Sequence, residues 1–304
     1  MRPNVIVHIP HASVLVPSAE ATAFLMPPAE LARELLRMTD RWTDDLSPVT
    51  PAEAARIVFG ASRLVCDVER FPDDRDEPMA ARGMGMIYTR TSSGAPLRAA
   101  PAADERRRVH DTWYAPHHAR LAAAVHETVA AAGHCLIIDA HSFARHPLPH
   151  EPDQAPDRPA ICIGTDPFHT PPALRDAAVA AAADCGWSVA VDRPFAGALV
   201  PAVAQRTGPR VLSLMIEVRR DLYMDEGTGE KTDAFAGVRS GLAVIIEAAA
   251  EAAARHVLVG AYRATRYIAG EGEKAIVLRV GERSEALLRL MDEESVRSAA
   301  FITA

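Results

Sequence analysis

Histidines, carboxylates and arginines recur in this chain where apolar runs end, and together they suit metal-assisted hydrolysis. His134 to Ser142 reads HCLIIDAHS, so Leu136, Ile137 and Ile138 lead straight into Asp139, His141 and Ser142. Val5 to Ser13 (VIVHIPHAS) ends on His11, Ser62 to Arg70 (SRLVCDVER) on Asp67, Glu69 and Arg70, and Ser213 to Asp221 (SLMIEVRRD) on Glu217, Arg219 and Arg220. A mononuclear hydrolytic zinc site needs about three ligands from His, Asp or Glu and an open position for water. It also needs a carboxylate outside that set to take the water's proton, and a cation or donors for the oxyanion. His11, His141, Asp44 and Glu217 offer the imidazoles and carboxylates, and Arg63, Arg70, Arg82 and Arg219 the cations. No ligand pair has the close spacing of HExxH. The fold has to assemble the set.

Strands are expected at Val5–Ile9, Ile57–Phe59, Leu64–Val68, Leu136–Ile138, Ala160–Ile163, Ser188–Val191 and Val211–Glu217. They alternate with alanine-rich helical stretches at Ala29–Met38, Ala103–Gly133, Ala173–Cys185 and Ala234–His256. Such alternation implies an α/β fold, a sheet between helices. In open α/β folds chemistry gathers at the carboxyl ends of the strands, so four strands ending on His, Asp, Glu and Arg imply one polar site at one sheet edge. His8 alternates with that side of the first strand and should point the opposite way. Pro116 should kink or divide the long helical stretch. The Gly-, Pro- and Arg-rich segment Phe71–Pro101 and the segment Phe143–Pro159 each follow a polar-ended strand and read as active-site loops. One main domain over residues 1–254 is expected, followed by a small β/α extension over 255–304. There AYRATRYIAG and KAIVLRVG read as a strand pair before a short helix, Ser284–Met291, and the terminal FITA.

At 304 residues, 49% of them apolar, the chain can bury a sizeable core. A net charge of −7 gives no reason to expect nucleic acid as a partner. No apolar run approaches the roughly 18 residues needed to cross a bilayer, and the N-terminus has no signal-peptide pattern. Cys66, Cys135, Cys162 and Cys185 lack CxxC spacing and read as buried free thiols of a reducing compartment. A cytoplasmic protein acting on a small molecule is expected, with no membrane partner.

Several of these residues have a structural alternative. A lone His11 would be a hydrogen-bonder, but His141 beside it favours a ligand. Asp139 either orients a ligand histidine or caps the following turn. Asp40, Asp44 and Asp45 in TDRWTDDL could form a solvated helix end. Glu217, directly after VLSLMI, is costly to bury unless a cation or metal meets it, and Arg219–Arg220 could be that cation. His117 and His118 read as structural helix residues.

The ordered set IPHAS (Ile9–Ser13), TDRWTDDL (Thr39–Leu46), SRLVCDVERFPDD (Ser62–Asp74), LIIDAHS (Leu136–Ser142), PFAG (Pro194–Gly197) and IEVRRDLYMDE (Ile216–Glu226) resembles the N-formylglutamate amidohydrolase family. The resemblance implies a three-layer α/β/α sandwich around a mixed sheet, akin to zinc carboxypeptidases and aspartoacylases. It implies one Zn2+ per chain and hydrolysis of N-formyl-L-glutamate to formate and glutamate, the last step of one histidine-degradation route. It supports His11 and His141 as ligands, Asp44 as the third, and Glu217 as the catalytic carboxylate. Arg63 and Arg70 match family arginines. The expected roles follow: Arg63 polarises the acyl oxygen, Arg70, Arg82 and Arg219 bind substrate, and Asp67 and Asp139 stand behind the ligands. Glu69 replaces a usual Asn, Arg219 stands where many members have Asn, and Asp192 precedes Arg193 where Asn is common. These changes touch the expected substrate contacts. With four arginines in or beside the motifs, an acidic N-acyl amino acid is the expected substrate.

Overall fold

Nearly continuous apolar runs make strands that are buried on both faces, and the two longest form the middle of the sheet. The computed structural model describes residues 4–205 and 210–268. Its strands are β1 (Val5–Ile9), β2 (Glu53–Val58), β3 (Cys135–Phe143), β4 (Ile161–Gly164), β5 (Val189–Val191) and β6 (Val211–Arg219). They pair in the order β2-β1-β3-β6-β4-β5. β2, β1, β3 and β6 run parallel, whereas β4 is antiparallel to β6 and carries β5 parallel to itself. The helices are α1 (Ser18–Ala21), α2 (Pro28–Met38), α3 (Thr43–Leu46), α4 (Ala103–Val109), α5 (Ala115–Ala132), α6 (Pro172–Asp184) and α7 (Phe235–Ile268).

Period-two alternation divides the sheet's side chains between two cores. Val5, Val7, Ile9, Ile138, Leu214 and Ile216 pack with Leu174 and Ala178 of α6 and with Leu242, Ile245 and Ala249 of α7. Ile6 and Ile137 face the other way, onto Leu121 and Val125 of α5. The result is the expected mixed sheet between helical layers. Alanine lets α6 and α7 approach each other closely, and Gly241 of α7 meets the Trp187 ring where any side chain would collide. Pro116 cannot donate a backbone hydrogen bond, and a π turn over His110–Tyr114 absorbs the irregularity between α4 and α5. Among the described residues no helix is long and apolar enough to cross a membrane.

Two expectations are corrected. Leu64–Val68 is a run of turns, with Val65 N–H donating to the Ser62 carbonyl at 2.8 Å. Its residues are apolar because Leu64 fills one small core and Val65, Cys66 and Val68 another; a short buried run reads alike in strand and turn. At the other end, α7 runs unbroken through residue 255 and includes AYRATRYI, where a strand was expected. Ala261, Arg263, Ala264 and Arg266 favour helix and no proline interrupts the run. KAIVLRVG, Ser284–Met291 and FITA lie outside the described residues.

Because β1, β3 and β6 are parallel, their carboxyl ends share one edge. His8 is in register with Asp139, and His141 with Glu217. Gly164, ending the antiparallel β4 level with Met215, allows a close approach below this edge: a Cβ there would lie 2.3 Å from the Gly197 carbonyl and 2.3 Å from the Met215 side chain. A backbone oxygen cannot swing aside, so Gly164→Ala should cost about 1–3 kcal/mol of stability, as overpacking does. Denaturant unfolding monitored by circular dichroism measures this, and an unchanged midpoint would mean that the loop yields freely.

Candidate active site

Two histidines and one aspartate converge at the carboxyl edge of the sheet. β1 ends at Ile9, so the chain turns at Pro10 and His11 is released from the strand's alternation. α2 ends at Met38, Thr39 is extended, and the Asp40 N–H donates to the His11 carbonyl at 3.0 Å, which brings the Asp40 carboxylate over the imidazole. His141 arrives from β3. Its ring centroid lies 5.1 Å from that of His11, and donor atoms of His11, Asp40 and His141 all lie within 4.8 Å of one another.

The far side of each ring determines what the near side presents. Nε2 of His11 lies 2.8 Å from Asp67 Oδ1, and Nε2 of His141 lies 3.2 Å from Asp139 Oδ1. A carboxylate accepts, so each ring donates there and turns Nδ1 inward, where a metal would take the place of any hydrogen. Both Nδ1 atoms face Asp40 Oδ2, at 3.6 Å from His11 and 3.1 Å from His141. Nδ1 of His11 is buried and has no hydrogen-bond partner. An orphaned lone pair, a second imidazole and a carboxylate oxygen together make a donor set that suits zinc.

Asp67 is itself tightly held. Its Oδ2 accepts from Arg63 Nε at 3.2 Å, from Arg63 Nη2 at 2.8 Å and from the Tyr88 hydroxyl, and its Oδ1 accepts from the Glu69 N–H at 2.9 Å. Burial alone would raise the Asp67 carboxyl, but Arg63 and His11 hold it well below the usual carboxylate range. Asp40 is depressed in the same way: burial would raise it, but the adjoining His11 and His141 rings and the charge of Arg220 hold it low. Two other carboxyls go the opposite way. Burial raises Glu217 to about 7, with Asp40 adding to the rise, and burial beside Asp139 raises Glu69 well above its ordinary value. The carboxyls of Asp40, Asp67, Glu69, Asp139 and Glu217 thus outnumber the guanidiniums of Arg63, Arg70 and Arg220 around them. A divalent cation would relieve that imbalance.

His11, Asp40, His141 and Glu217 line one cavity of about 780 Å³, along with Arg63, Glu69, Arg70, Arg220 and the apolar stretch over 195–203. Glu217 is 7% exposed and its Oε2 has no hydrogen-bond partner. Arg70 Nε is likewise buried without one; the guanidinium approaches Asp67 and Glu77 only at 3.7 and 3.9 Å.

Three expected site residues lie elsewhere. Asp44 is exposed in the first turn of α3, where an acidic side chain complements the helix N-terminus; Asp40, four residues earlier, joins the histidines. Arg82 is exposed, donates to the His150 carbonyl and does not line the cavity. Arg219 is also outside it, bound to Asp221 at 2.6 Å and to the Arg158 carbonyl at 2.7 Å. Its neighbour Arg220 turns inward, donating to Asp40 at 2.7 Å and to the Ser142 carbonyl at 3.1 Å. His8 was expected to point away, yet its Nδ1 lies 2.8 Å from Asp139. Register explains this, since His8 and Asp139 are paired residues on one face.

An ordered donor set at the carboxyl edge of a mixed α/β sheet, opening on a cavity beside an unbonded carboxyl, has the makings of a hydrolase centre. The family model of N-formylglutamate amidohydrolase matches residues 4–224, and the chain belongs to that amidohydrolase family. No curated protein matches the chain at a significant level. Among solved structures it is similar to an N-formylglutamate amidohydrolase from Ralstonia eutropha JMP134, with 23% identity and a TM-score of 0.73 over 83% of this chain and 95% of that one. A gene product of Agrobacterium tumefaciens is similar at 20% identity and a TM-score of 0.55, over 81% of this chain and 90% of that one. At these identities the likeness is one of fold.

Asp40 and Asp44 can be told apart directly. After zinc loading and removal of free metal, Asp40→Asn should retain far less metal than the unaltered protein, and Asp44→Asn should match it. Elemental analysis is the measurement, and the reverse pattern would restore Asp44 as the ligand.

Proposed function

We propose that this protein is a zinc-dependent amidohydrolase that releases formate from N-formyl-L-glutamate. The observation that carries the reading is the juxtaposition of His11, Asp40 and His141 with the unbonded Glu217 carboxyl in one cavity. Membership of the family supports the substrate. His11, Asp40 and His141 would hold the zinc, which when bound supplies Lewis acidity toward the acyl oxygen and lowers the pKa of its water toward about 7.

The chain's own residues do the rest. Glu217, in register with His141 on the neighbouring strand, takes a proton from the attacking water and returns it to the leaving amine. Burial has already raised this carboxyl to about 7, which suits a group that must both accept and donate near neutral pH. Arg63, fixed by two bonds to Asp67, provides a positioned positive charge for the developing oxyanion. Arg70, whose Nε lacks a partner, pairs with the substrate's carboxylate. The four cysteines are unpaired, three of them buried, which supports a cytoplasmic setting.

Turnover of N-formyl-L-glutamate, followed as formate release by the zinc-loaded protein, tests the reading; no release from this or matched N-formyl amino acids would end it. Glu217→Gln should keep fold and zinc while losing at least ~100-fold in kcat. A base must be ionised, so activity should fall as pH drops through the Glu217 pKa. That limb should lie at or below about 7, because a bound cation lowers a value that burial has raised. Near-normal turnover in a folded Glu217→Gln protein would assign the proton transfer to another group.

The Arg70 assignment has its own outcome. Losing a charged hydrogen bond costs about 1.5–3 kcal/mol, so Arg70→Met should lower kcat/KM roughly 10- to 150-fold, mostly through KM. Steady-state kinetics on N-formylglutamate decides it, and an unchanged KM would move the carboxylate contact elsewhere.

A further inference from the structure

Behind the candidate zinc ligand His141 stands a second pair of histidines. His8 Nδ1 lies 2.8 Å from Asp139 Oδ1, the same oxygen that lies 3.2 Å from His141 Nε2. On the other side of its ring, His8 Nε2 lies 2.8 Å from Nε2 of His117, which comes from α5. His8 is 0% exposed and His117 2%. The edge of Phe59 meets the His117 ring at a centroid distance of 5.3 Å and 84°.

We propose that His117 is a positioning residue: its Nε2–H donates to His8, which fixes the His8 tautomer and, through Asp139, the face that His141 turns toward Asp40. This rests on reading His141 as a metal ligand.

Two nitrogens 2.8 Å apart share one hydrogen, so either His8 or His117 donates. If His8 donated from Nε2, its Nδ1 would be a bare lone pair facing two carboxyls, Asp139 at 2.8 Å and Glu69 Oε1 at 3.3 Å. Asp139 cannot supply the missing hydrogen as an ionised group, and it already accepts the Leu199 N–H on its other oxygen at 3.2 Å. The opposite arrangement satisfies Asp139 and both facing nitrogens. His8 carries its hydrogen on Nδ1 and gives it to Asp139, its Nε2 accepts from His117, and Nδ1 of His117 and Oε1 of Glu69 remain without a partner. An unpaired acceptor at the far end of the chain costs less than two facing lone pairs at its centre. Burial lowers both rings below the ordinary histidine value, His117 to about 2, so neither takes a second proton near neutral pH.

The consequence reaches the zinc site. Asp139 is gripped by His8 and by the Leu199 N–H, so the oxygen it offers His141 is fixed in place. His141 then donates from Nε2 and keeps Nδ1 for a metal. Without a donor at residue 117, His8 keeps its hydrogen toward Asp139 but its buried Nε2 loses its partner, so the ring is less firmly held and its grip on Asp139 loosens.

Imidazole 15N NMR of the metal-free protein tests the tautomers without any activity. His8 should be the Nδ1–H form and His117 the Nε2–H form, both neutral at pH 7, and both should remain so when zinc is added. His8 found with its hydrogen on Nε2, or losing its Nδ1 hydrogen on zinc addition as a ligand at His8–Glu69–Asp139 would, overturns the proposal. Affinity supplies the second readout. His117→Leu should weaken zinc binding roughly 10-fold, the lower end of the effect of groups behind metal ligands, and His117→Gln, whose amide can donate from nearly the same point, should restore most of it. Equal zinc affinity in wild type and a folded His117→Leu protein also overturns it; if that variant does not fold, the wild-type tautomers decide. Undiminished zinc binding in His141→Ala would instead remove the ligand reading itself.

Discussion

The constraint on which this structure turns is the burial of more carboxyl groups than cations at one sheet edge. An unpaired buried charge is prohibitively costly, so each carboxylate there must find donors or give up its charge. Asp67 takes Arg63, Tyr88 and His11; Asp40 takes Arg220 and His141; Asp139 takes His8 and His141. These bonds also aim both candidate ligand rings, since a histidine that donates from Nε2 to a carboxylate must offer Nδ1 on its other side. Glu217 and Glu69 remain, and burial, with a neighbouring aspartate adding to it, raises both. The same deficit that makes the site receptive to a divalent cation gives it a carboxyl ready to move protons.

The scaffold's task is to keep these groups from drifting. β1, β3 and β6 are parallel neighbours, and their register sets His8 beside Asp139 and His141 beside Glu217. Central strands packed by helices on both faces cannot slide by one residue without moving a whole row of side chains to the wrong core. The groups that need latitude come from turns: His11 lies just beyond β1, Asp40 just beyond α2, and Arg63, Asp67 and Arg70 in the turn segment. The candidate substrate contacts Arg63 and Arg70 are therefore carried on loops, while the strands supply His8, Asp139, His141 and Glu217.

Most of the sheet could be read from the sequence because its strands are built on short apolar runs, though β2 (EAARIV) shows one only at its end, and the helices because alanine-rich stretches have few breakers. Where packing mattered more than pattern, reading failed. Leu64–Val68 is as apolar as a strand but fills two small cores through turns. His11, His141 and Glu217 stood out by ending apolar runs, and the structure brings them to one cavity. Asp40 and Asp44 share one motif, and their different fates depend on α3 starting at Thr43, a detail that no residue in TDRWTDDL announces. Arg219 and Arg220 are consecutive, so whichever one the chain turns inward is decided by Asp221 and Asp40 as rival partners. His8 was misplaced because alternation was extended to His11 beyond the end of the strand.

The central claim is that Nδ1 of His11, Nδ1 of His141 and a carboxylate oxygen of Asp40 form one metal site. The most direct test is a crystal structure of the zinc-loaded protein with anomalous differences measured at the zinc edge. The account predicts one strong peak per chain about 2.0–2.1 Å from both Nδ1 atoms and about 2.0–2.2 Å from Asp40, with Asp67 and Asp139 still on the two Nε2 atoms. A peak among His8, Glu69 and Asp139, or one bound through Nε2 of either ligand histidine, would contradict it.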